Sequence, residues 1–429
     1  MTESKSEPPI LDPPIVSPPQ SDTAALAPVV VVEEDPPRVS IASVAVEAVV
    51  QPITSADLPR TEKVAWYMRP VWLIGRSWDY ISLAVLLAVV AAIPVLQLAS
   101  LGYLLVSAAN LAEGRPWKDC LPGLRLAGKL GTFALLGAIA WLPVWLVSDL
   151  AYSAQLLQPG SRSAGLWRSA AFVCTGIWIT HLAWAAVRGG RWWHLLWPAP
   201  IRFLREGWRP KTWVRASDEL YDLVACLQFP RLWWLGARAG AGVLIWICIP
   251  VTMMIVGQHS EDVPTPGLVG FLGAFALTAI MLYLPFLQIQ MAADNRFFAI
   301  FNFFQVRRRF LHGPLWHSFA MLSLVVLCVP LYLLRIEPIP AELAWAPAFV
   351  FVLFMLPAKI LLGAAMGYAA GRQQAGHSPR SFLLRWPARF VSLASVLVYV
   401  GFLYLAQLVA PSGLIMYFQH ALLVPAPLI

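Results

Sequence analysis

Charge is scarce in this sequence. Only 13% of the 429 residues are Asp, Glu, Lys or Arg, whereas 59% are hydrophobic. A soluble domain has about 25% charged and about 45–50% apolar residues, so this composition excludes an ordinary soluble globular protein. Apolar surface on this scale needs lipid as its solvent. The 20 tryptophans agree with this conclusion, because indole favours the membrane–water interface.

Recognisable sites for metals, disulfides and enzymatic chemistry are also lacking. The five cysteines are scattered without a CxxC pair, which argues against a disulfide framework or a zinc site. The sequence has no GxxxxGK[ST], HExxH or GxSxG motif, and its seven histidines are dispersed. We therefore predict a non-enzymatic protein without a metal or other cofactor. Nucleic acid is not a predicted partner, because the basic residues flank apolar runs, where orientation in the membrane accounts for them.

Residues 1–60 differ from the rest of the chain. They hold nine acids and three bases, contain four Pro-Pro pairs and show no sustained helical or strand period. Proline removes a backbone donor and favours extended, solvated chain, so we predict a disordered acidic tail. The polar start, Met1 to Pro9, does not have the pattern of a secretory signal. Residues 61–79 are aromatic and basic, and we predict either an interfacial helix or a direct lead into the first span.

Eight apolar runs follow, and each is long enough to cross a membrane. A span needs about 20 residues to cross about 30 Å of hydrocarbon. The runs are continuous rather than alternating, which excludes the strands of a membrane barrel. We predict an all-α polytopic transmembrane helix bundle within residues 80–429, with runs near 80–108, 130–149, 166–187, 235–257, 267–290, 315–335, 344–369 and 388–410.

Basic residues are concentrated in alternate connections between these runs. Twenty Lys and Arg residues lie in one set of connections and three in the other set; the basic set comprises 109–129, 188–234, 291–314 and 370–389. The positive-inside rule places this set in the cytoplasm, and we predict a bacterial inner-membrane protein. Eight simple spans would leave the N-terminal tail outside, although bases follow it. With Pro94 near its middle, the first run is predicted either to span or to fold back as a re-entrant hairpin.

A faint internal repeat connects two of the runs. Ile93–Gln97 reads IPVLQ and Leu284–Gln288 reads LPFLQ, and each leads through a basic connection with Gly and Pro into a span with a late proline. A third, weaker copy starts at Pro357. Duplicated helical hairpins would produce such a pattern, and so would chance similarity between proline-rich spans.

Two segments resemble known but uncharacterised proteins. Ile93–Gln97 and Leu101–Leu104, followed by Gly114, Leu121-Pro122-Gly123 and Gly131, resemble a bacterial membrane family known only as a domain of unknown function. This motif covers about a tenth of the chain. The segment from Arg188 to Leu204 is similar to hypothetical membrane proteins of planctomycete-type bacteria. The resemblance implies a polytopic membrane protein and brings no catalytic or binding residue.

Polar groups inside a span are costly, so they are the first candidates for a functional site. Lys359 stands out because a proline two residues earlier frees a backbone carbonyl. We predict there either a substrate or proton site that pairs Lys359 with Asp294, or a lysine that snorkels to the cytoplasmic interface. Gln97, Gln288 and Gln290 follow mid-run prolines, and their amides are predicted either to line a cavity or to join helices.

The cytoplasmic segment 188–234 interleaves arginine with tryptophan before an acidic stretch. Such a pattern is typical of a surface segment that contacts anionic headgroups, although it would also suit a protein partner or the acidic tail. The predicted lipid-interface residues are Arg191, Trp192, Trp193, Arg202 and Arg205.

Two classes of function fit these features. A transporter-like or permease-like bundle predicts a mid-depth cavity lined by Lys359 and the glutamines. A structural or interaction protein that organises the membrane predicts a dry bundle with 188–234 bound to lipid or to a partner. A lipid-modifying enzyme ranks last, because the sequence shows no acid, base or metal ligands converging on one interface.

Overall fold

The computed structural model describes residues 69–259, 266–333 and 346–409, together with Tyr417 and His420. The predicted acidic tail and residues 61–68 lie outside these ranges. Within them the chain forms 14 α-helices and two short 3₁₀ turns, Trp117–Asp119 and Phe297–Phe301, without any strand. The helices are α1 Arg69–Ala92, α2 Gln97–Ala112, α3 Leu124–Leu157, α4 Arg162–Val187, α5 Trp192–Leu196, α6 Pro200–Glu206, α7 Pro210–Cys226, α8 Phe229–His259, α9 Pro266–Met281, α10 Leu284–Asp294, α11 Phe303–His312, α12 Pro314–Leu333, α13 Ala346–Gln374 and α14 Phe382–Val409.

Helices cover the described part of all eight predicted runs, so the predicted all-α membrane class is confirmed. In the described ranges, seven helices are long and apolar enough to cross a membrane, or up to eight if the bent pair α9–α10 counts as one span. The runs 80–108 and 267–290 are each split into two helices near their proline. Other prolines, Pro143 and Pro357 among them, lie within continuous helices, as neighbouring groups in a bundle permit.

The chain folds back on itself between α1 and α2. Val95 has a left-handed φ of 70°, and beyond this turn Ser100 donates a hydrogen bond of 2.8 Å to the Leu87 carbonyl. In one straight helix those two residues would lie about 20 Å apart, so the first run is a hairpin. Residues 69–79 form the start of α1, where Trp78 donates to the Thr132 hydroxyl of α3 at 2.8 Å.

The second proline break has a different geometry. The axis between α9 and α10 bends by 41°, and the chain continues in the same general direction. Pro285 occupies the first turn of α10, where its missing N–H is not needed. The two copies of the predicted repeat therefore share a proline break, but one reverses the chain and the other only bends it.

Helix α2 is the central element of the bundle, and it is buried over almost its whole length. It packs closely against α8, and each helix contributes one glycine to the contact. Gly102 of α2 faces the Leu232 backbone, and Gly236 of α8 faces the Leu98 backbone. A Cβ at either glycine would overlap with the facing carbonyl oxygen. Gly363 of α13 meets the Ala108 backbone of α2 in the same manner. Small residues allow such close backbone approach between membrane helices.

These contacts also give the helix directions. α8 runs antiparallel to α2, because positions 98 and 102 face 236 and 232, whereas α13 runs parallel to α2. The Arg380 amide donates to the Leu311 carbonyl at 3.0 Å, which joins the connection after α13 to α11. One end of the bundle, named here the basic end, therefore carries the arginine-rich connections 113–123, 188–228, 295–313 and 375–381.

Helices α3 and α4 form a peripheral hairpin. Only 11% of the most apolar 18-residue stretch of each helix is buried, compared with 56% for α13. Their mutual contact includes the Trp141 and Trp178 rings at 4.7 Å, and α3 also packs on α1. Many large apolar side chains of this hairpin are exposed, among them Ile139, Phe172 and Ile177, as expected for helices that face lipid.

A substitution that adds one methyl group tests the close crossing of α2 and α8. Gly102→Ala is expected to lower the free energy of unfolding by about 1–3 kcal/mol, because the helices must separate to admit the Cβ. Gly176→Ala in α4 is the matched control, since nothing lies within 4 Å of a Cβ there. Thermal unfolding in detergent measures both variants, and equal midpoints would contradict the crossing.

Candidate functional site

The Lys359 side chain lies inside the bundle. It occupies the middle of α13, about 20 Å from either end at 1.5 Å per residue, and it is 0% exposed. Its Nζ donates a hydrogen bond of 2.6 Å to Oε1 of Gln288. The prediction that Lys359 snorkels to the cytoplasmic interface is therefore wrong, because the side chain points to a neighbouring helix and not to the surface.

Gln288 is held in place by α10. Residues Leu284–Met291 of this short helix are all buried, and the helix packs against α2, α8 and α13. The break before α10 brings this stretch into the bundle at an angle to α9. The amide of Gln288 thus joins two helices, which is one of the two roles predicted for it.

A small cavity lies beside this pair. It has a volume of about 20 Å³, which is room for about one water molecule. Cys328 links the cavity to the part of α13 that carries Lys359, because its thiol lines the cavity and contacts the sulfur of Met355, four residues before Lys359, at 3.7 Å. The cavity lining does not include Lys359 or the glutamines; it consists of Met281, Pro285, Met321, Leu324, Val325, Cys328, Val396 and Tyr399.

Asp294 does not pair with Lys359, which corrects the predicted partnership. The exposed Asp294 carboxylate accepts a hydrogen bond of 2.6 Å from Nε2 of Gln290, one turn earlier on the same helix. It also attracts the Arg309 guanidinium, although burial lowers the pKa of Arg309 more than this attraction raises it. Gln290 and Asp294 therefore form a second polar group, near the basic end.

Gln97 stands apart from both groups. It begins α2 next to the 93–96 turn, and its Oε1 is buried without a described hydrogen-bond partner. Since Gly363 faces Ala108, Lys359 is level with the residue near 104, about two turns from Gln97. The structure therefore brings together two of the five predicted polar residues at the buried site.

The five predicted lipid-interface residues are all exposed. The rings of Trp192 and Trp193 stack with centroids 3.3 Å apart, and Arg202 forms an ion pair of 2.9 Å with Glu206. These residues surround a loop organised by Arg188, which donates to the carbonyls of His194 and Trp197 at 2.6 and 2.8 Å. Arg191 and Arg205 are thus available to an external anion, whereas Arg202 is paired with Glu206 and Arg188 has an internal structural role.

His194 lies inside this loop. Burial lowers the pKa of its imidazole, and the nearby arginines lower it further. The ring is therefore neutral at pH 7, because its pKa falls below an ordinary value of about 6.5.

Sequence reasoning missed a buried histidine near the basic end. His317 donates from Nδ1 to the Gly313 carbonyl at 2.9 Å, and the rings of Phe286 and Phe310 lie against it at 4.8 and 5.9 Å. Ser318, the next residue, bonds to the Ala388 carbonyl at 2.6 Å and so joins α12 to α14. No group of three His, Cys, Asp or Glu residues in the described ranges could hold a metal ion.

Comparisons with protein-family models, curated proteins and solved structures find no match to this chain. The resemblance to the uncharacterised bacterial family therefore stays a prediction. The fold and the buried site define a multi-pass helical membrane protein with a lysine–glutamine pair inside its bundle.

Removing either partner of this pair should cost stability, and removing both should cost less than the sum. Gln288→Leu is expected to destabilise the protein by about 1–3 kcal/mol, since it leaves the buried Nζ without its amide partner. Lys359→Met is also expected to destabilise the protein, because it removes the same hydrogen bond from the Gln288 side. Thermal unfolding of both single variants and of the double variant gives the coupling energy. Strictly additive losses would show that the pair does not form in the folded protein.

Proposed function

We propose that this chain is a transporter-like protein of the bacterial inner membrane in a closed conformation, and that Lys359 with Gln288 forms its solute or proton site. The supporting observation is the position of the Lys359 ammonium, which is fully buried at mid-helix and bonded across to another helix. Ionisable groups at such depth are rare and commonly belong to substrate or proton pathways.

The chemistry of the pair favours an anion or a proton as the species handled. A lysine ammonium has three N–H donors, and the described hydrogen bond to Gln288 uses one of them. The other donors could bind an anionic group if the bundle opened. A lysine side chain can also release and regain its ammonium proton, which is the chemistry that a proton pathway needs.

The position of the pair on a broken helix agrees with this function. Transporters often place their sites where helices are interrupted near the membrane midplane. Gln288 lies on α10, directly after the 41° bend. The small cavity is lined by Pro285 of the same helix and by Cys328 of α12. We infer that this cavity marks the place where an open conformation would admit water.

The membrane and the orientation are part of this proposal. All four arginine-rich connections lie at the basic end, and the positive-inside rule would place that end in the cytoplasm. The hairpin of α1 and α2 then puts the start of α1 on the same side.

Opening of the site can be measured without knowing the solute. In a variant that keeps Cys328 as its single cysteine, a small water-soluble thiol reagent is expected to label Cys328 slowly in liposomes, although this residue is 1% exposed. A variant that keeps only the exposed Cys226 is the control and should react at once. Complete protection of Cys328 while the protein stays folded would argue against alternating access.

The role of Lys359 is tested by flux through proteoliposomes. With protons, chloride and inorganic phosphate as probes, the intact protein is expected to move at least one of them. Lys359→Met should abolish that flux without loss of folding, because the site loses its only charge. Lys129→Met is the matched control, since Lys129 is exposed near the start of α3. Equal flux in both variants would remove Lys359 from the mechanism.

A second candidate, a structural protein that organises the membrane surface, rests on α7. None of its residues is buried, and Trp213, Leu220 and Val224 line one side of this helix while Arg215 and Asp222 lie on the opposite side. An amphipathic helix with an uncovered apolar side, placed between the two membrane helices α4 and α8, is suited to lie in the headgroup layer.

Spin labels on opposite sides of α7 test this arrangement. A label at Leu220 is expected to be accessible to oxygen and protected from a water-soluble nickel reagent in nanodiscs, because it should lie among lipid chains. A label at Asp222, on the polar side of the same helix, is the control and should show the reverse. Equal exposure of both labels to the nickel reagent would place α7 in water.

A further inference from the structure

Two arginines at the basic end converge on one tyrosine. Nη2 of Arg380 donates to the Tyr368 hydroxyl at 3.2 Å, and Arg372, one turn after Tyr368 on α13, interacts with the same hydroxyl. The amide of Arg380 is fixed to the Leu311 carbonyl of α11 at 3.0 Å. Two guanidinium groups from different segments are thus held close to one oxygen atom.

Among the residues that the structure describes, no carboxylate forms an ion pair with these arginines. The described residues from 266 onward include nine basic residues and one acidic residue, Asp294. The Asp294 carboxylate accepts a hydrogen bond from Gln290 and attracts the Arg309 guanidinium. The ion pairs described for the chain all precede residue 220. The Nε atom of Arg372 is buried and has no described partner. Arginine stays charged at any physiological pH, so this cluster keeps its positive charge.

A bound anion would offset the repulsion between these two guanidinium groups. Like charges held together repel, and guanidinium groups bind phosphate oxygens through paired hydrogen bonds. We propose that Tyr368, Arg372 and Arg380 form a binding site for the phosphate group of an anionic phospholipid.

The position of the cluster favours a lipid over a free phosphate ion. Tyr368 lies near the end of a membrane helix, and the Trp316 ring lies 6.0 Å from its ring. Both rings are partly exposed, at 40% and 47%. Tyrosine and tryptophan at a helix end are typical of the headgroup layer, and basic pockets between membrane helices bind anionic headgroups. The site is independent of Lys359.

The amount of lipid that the purified protein retains tests this proposal. The full protein is incubated in detergent with phosphatidylglycerol or phosphatidylcholine, and bound lipid is counted by native mass spectrometry. Intact protein should retain phosphatidylglycerol preferentially. Arg372→Gln/Arg380→Gln should reduce that retention at least about tenfold, because charged hydrogen bonds to the phosphate are lost.

Arg307→Gln/Arg308→Gln is the matched control. It removes the same charge from the basic end at exposed residues of α11, and retention should stay near that of the intact protein. Tyr368→Phe, which removes one hydroxyl, is the milder variant if the double change prevents folding, and it should lower retention while the melting temperature is unchanged.

Several results would overturn the site. Equal losses in the two arginine pairs would show general charge attraction. Competition by millimolar inorganic phosphate that displaces the lipid completely would identify a free-anion site instead. Equal retention of phosphatidylcholine would exclude recognition of negative charge.

Discussion

The close approach of α2 to α8 and α13 determines where the other helices can lie. Helices in lipid gain little from burying apolar surface against each other, so packing and polar contacts decide their association. Glycines at 102, 236 and 363 let the backbones touch. Because α10 packs on α2 and α13 as well, these crossings set the distance between the helices that carry Gln288 and Lys359. The buried hydrogen bond therefore depends on glycines that touch neither side chain.

The helices could be predicted from the sequence because lipid imposes a length and a polarity on each span. The turn geometry could not. The motifs around Pro94 and Pro285 share their Pro, Leu and Gln, yet the first reverses the chain and the second bends it by 41°. Proline only removes a donor and fixes one dihedral angle. The direction taken afterwards depends on the neighbours, such as the Leu87 carbonyl that accepts the Ser100 hydroxyl.

The members of the buried site were predicted individually, but their pairing was not. Lys359 and Gln288 stand 71 positions apart, and each drew attention because a polar group inside a span is costly. The predicted partner Asp294 is wrong for a local reason: Gln290, four residues earlier on the same helix, reaches its carboxylate. The cluster at Tyr368 was missed because its arginines were interpreted only as orientation signals.

The distribution of acidic residues distinguishes basic residues that only set the membrane orientation from basic residues that could bind an anion. The positive-inside rule counts Lys and Arg and is nearly indifferent to Asp and Glu. In the first half of the membrane domain the basic end has acids beside its bases, as in the pairs Arg115–Glu113 and Arg215–Glu219. From residue 266 onward the described chain has as strong a basic signal with one acid. The positive-inside rule does not require acidic residues to be absent, because the first half of the membrane domain satisfies the rule although acidic residues lie beside its bases. A surface kept free of competing carboxylates is what binding an external anion requires.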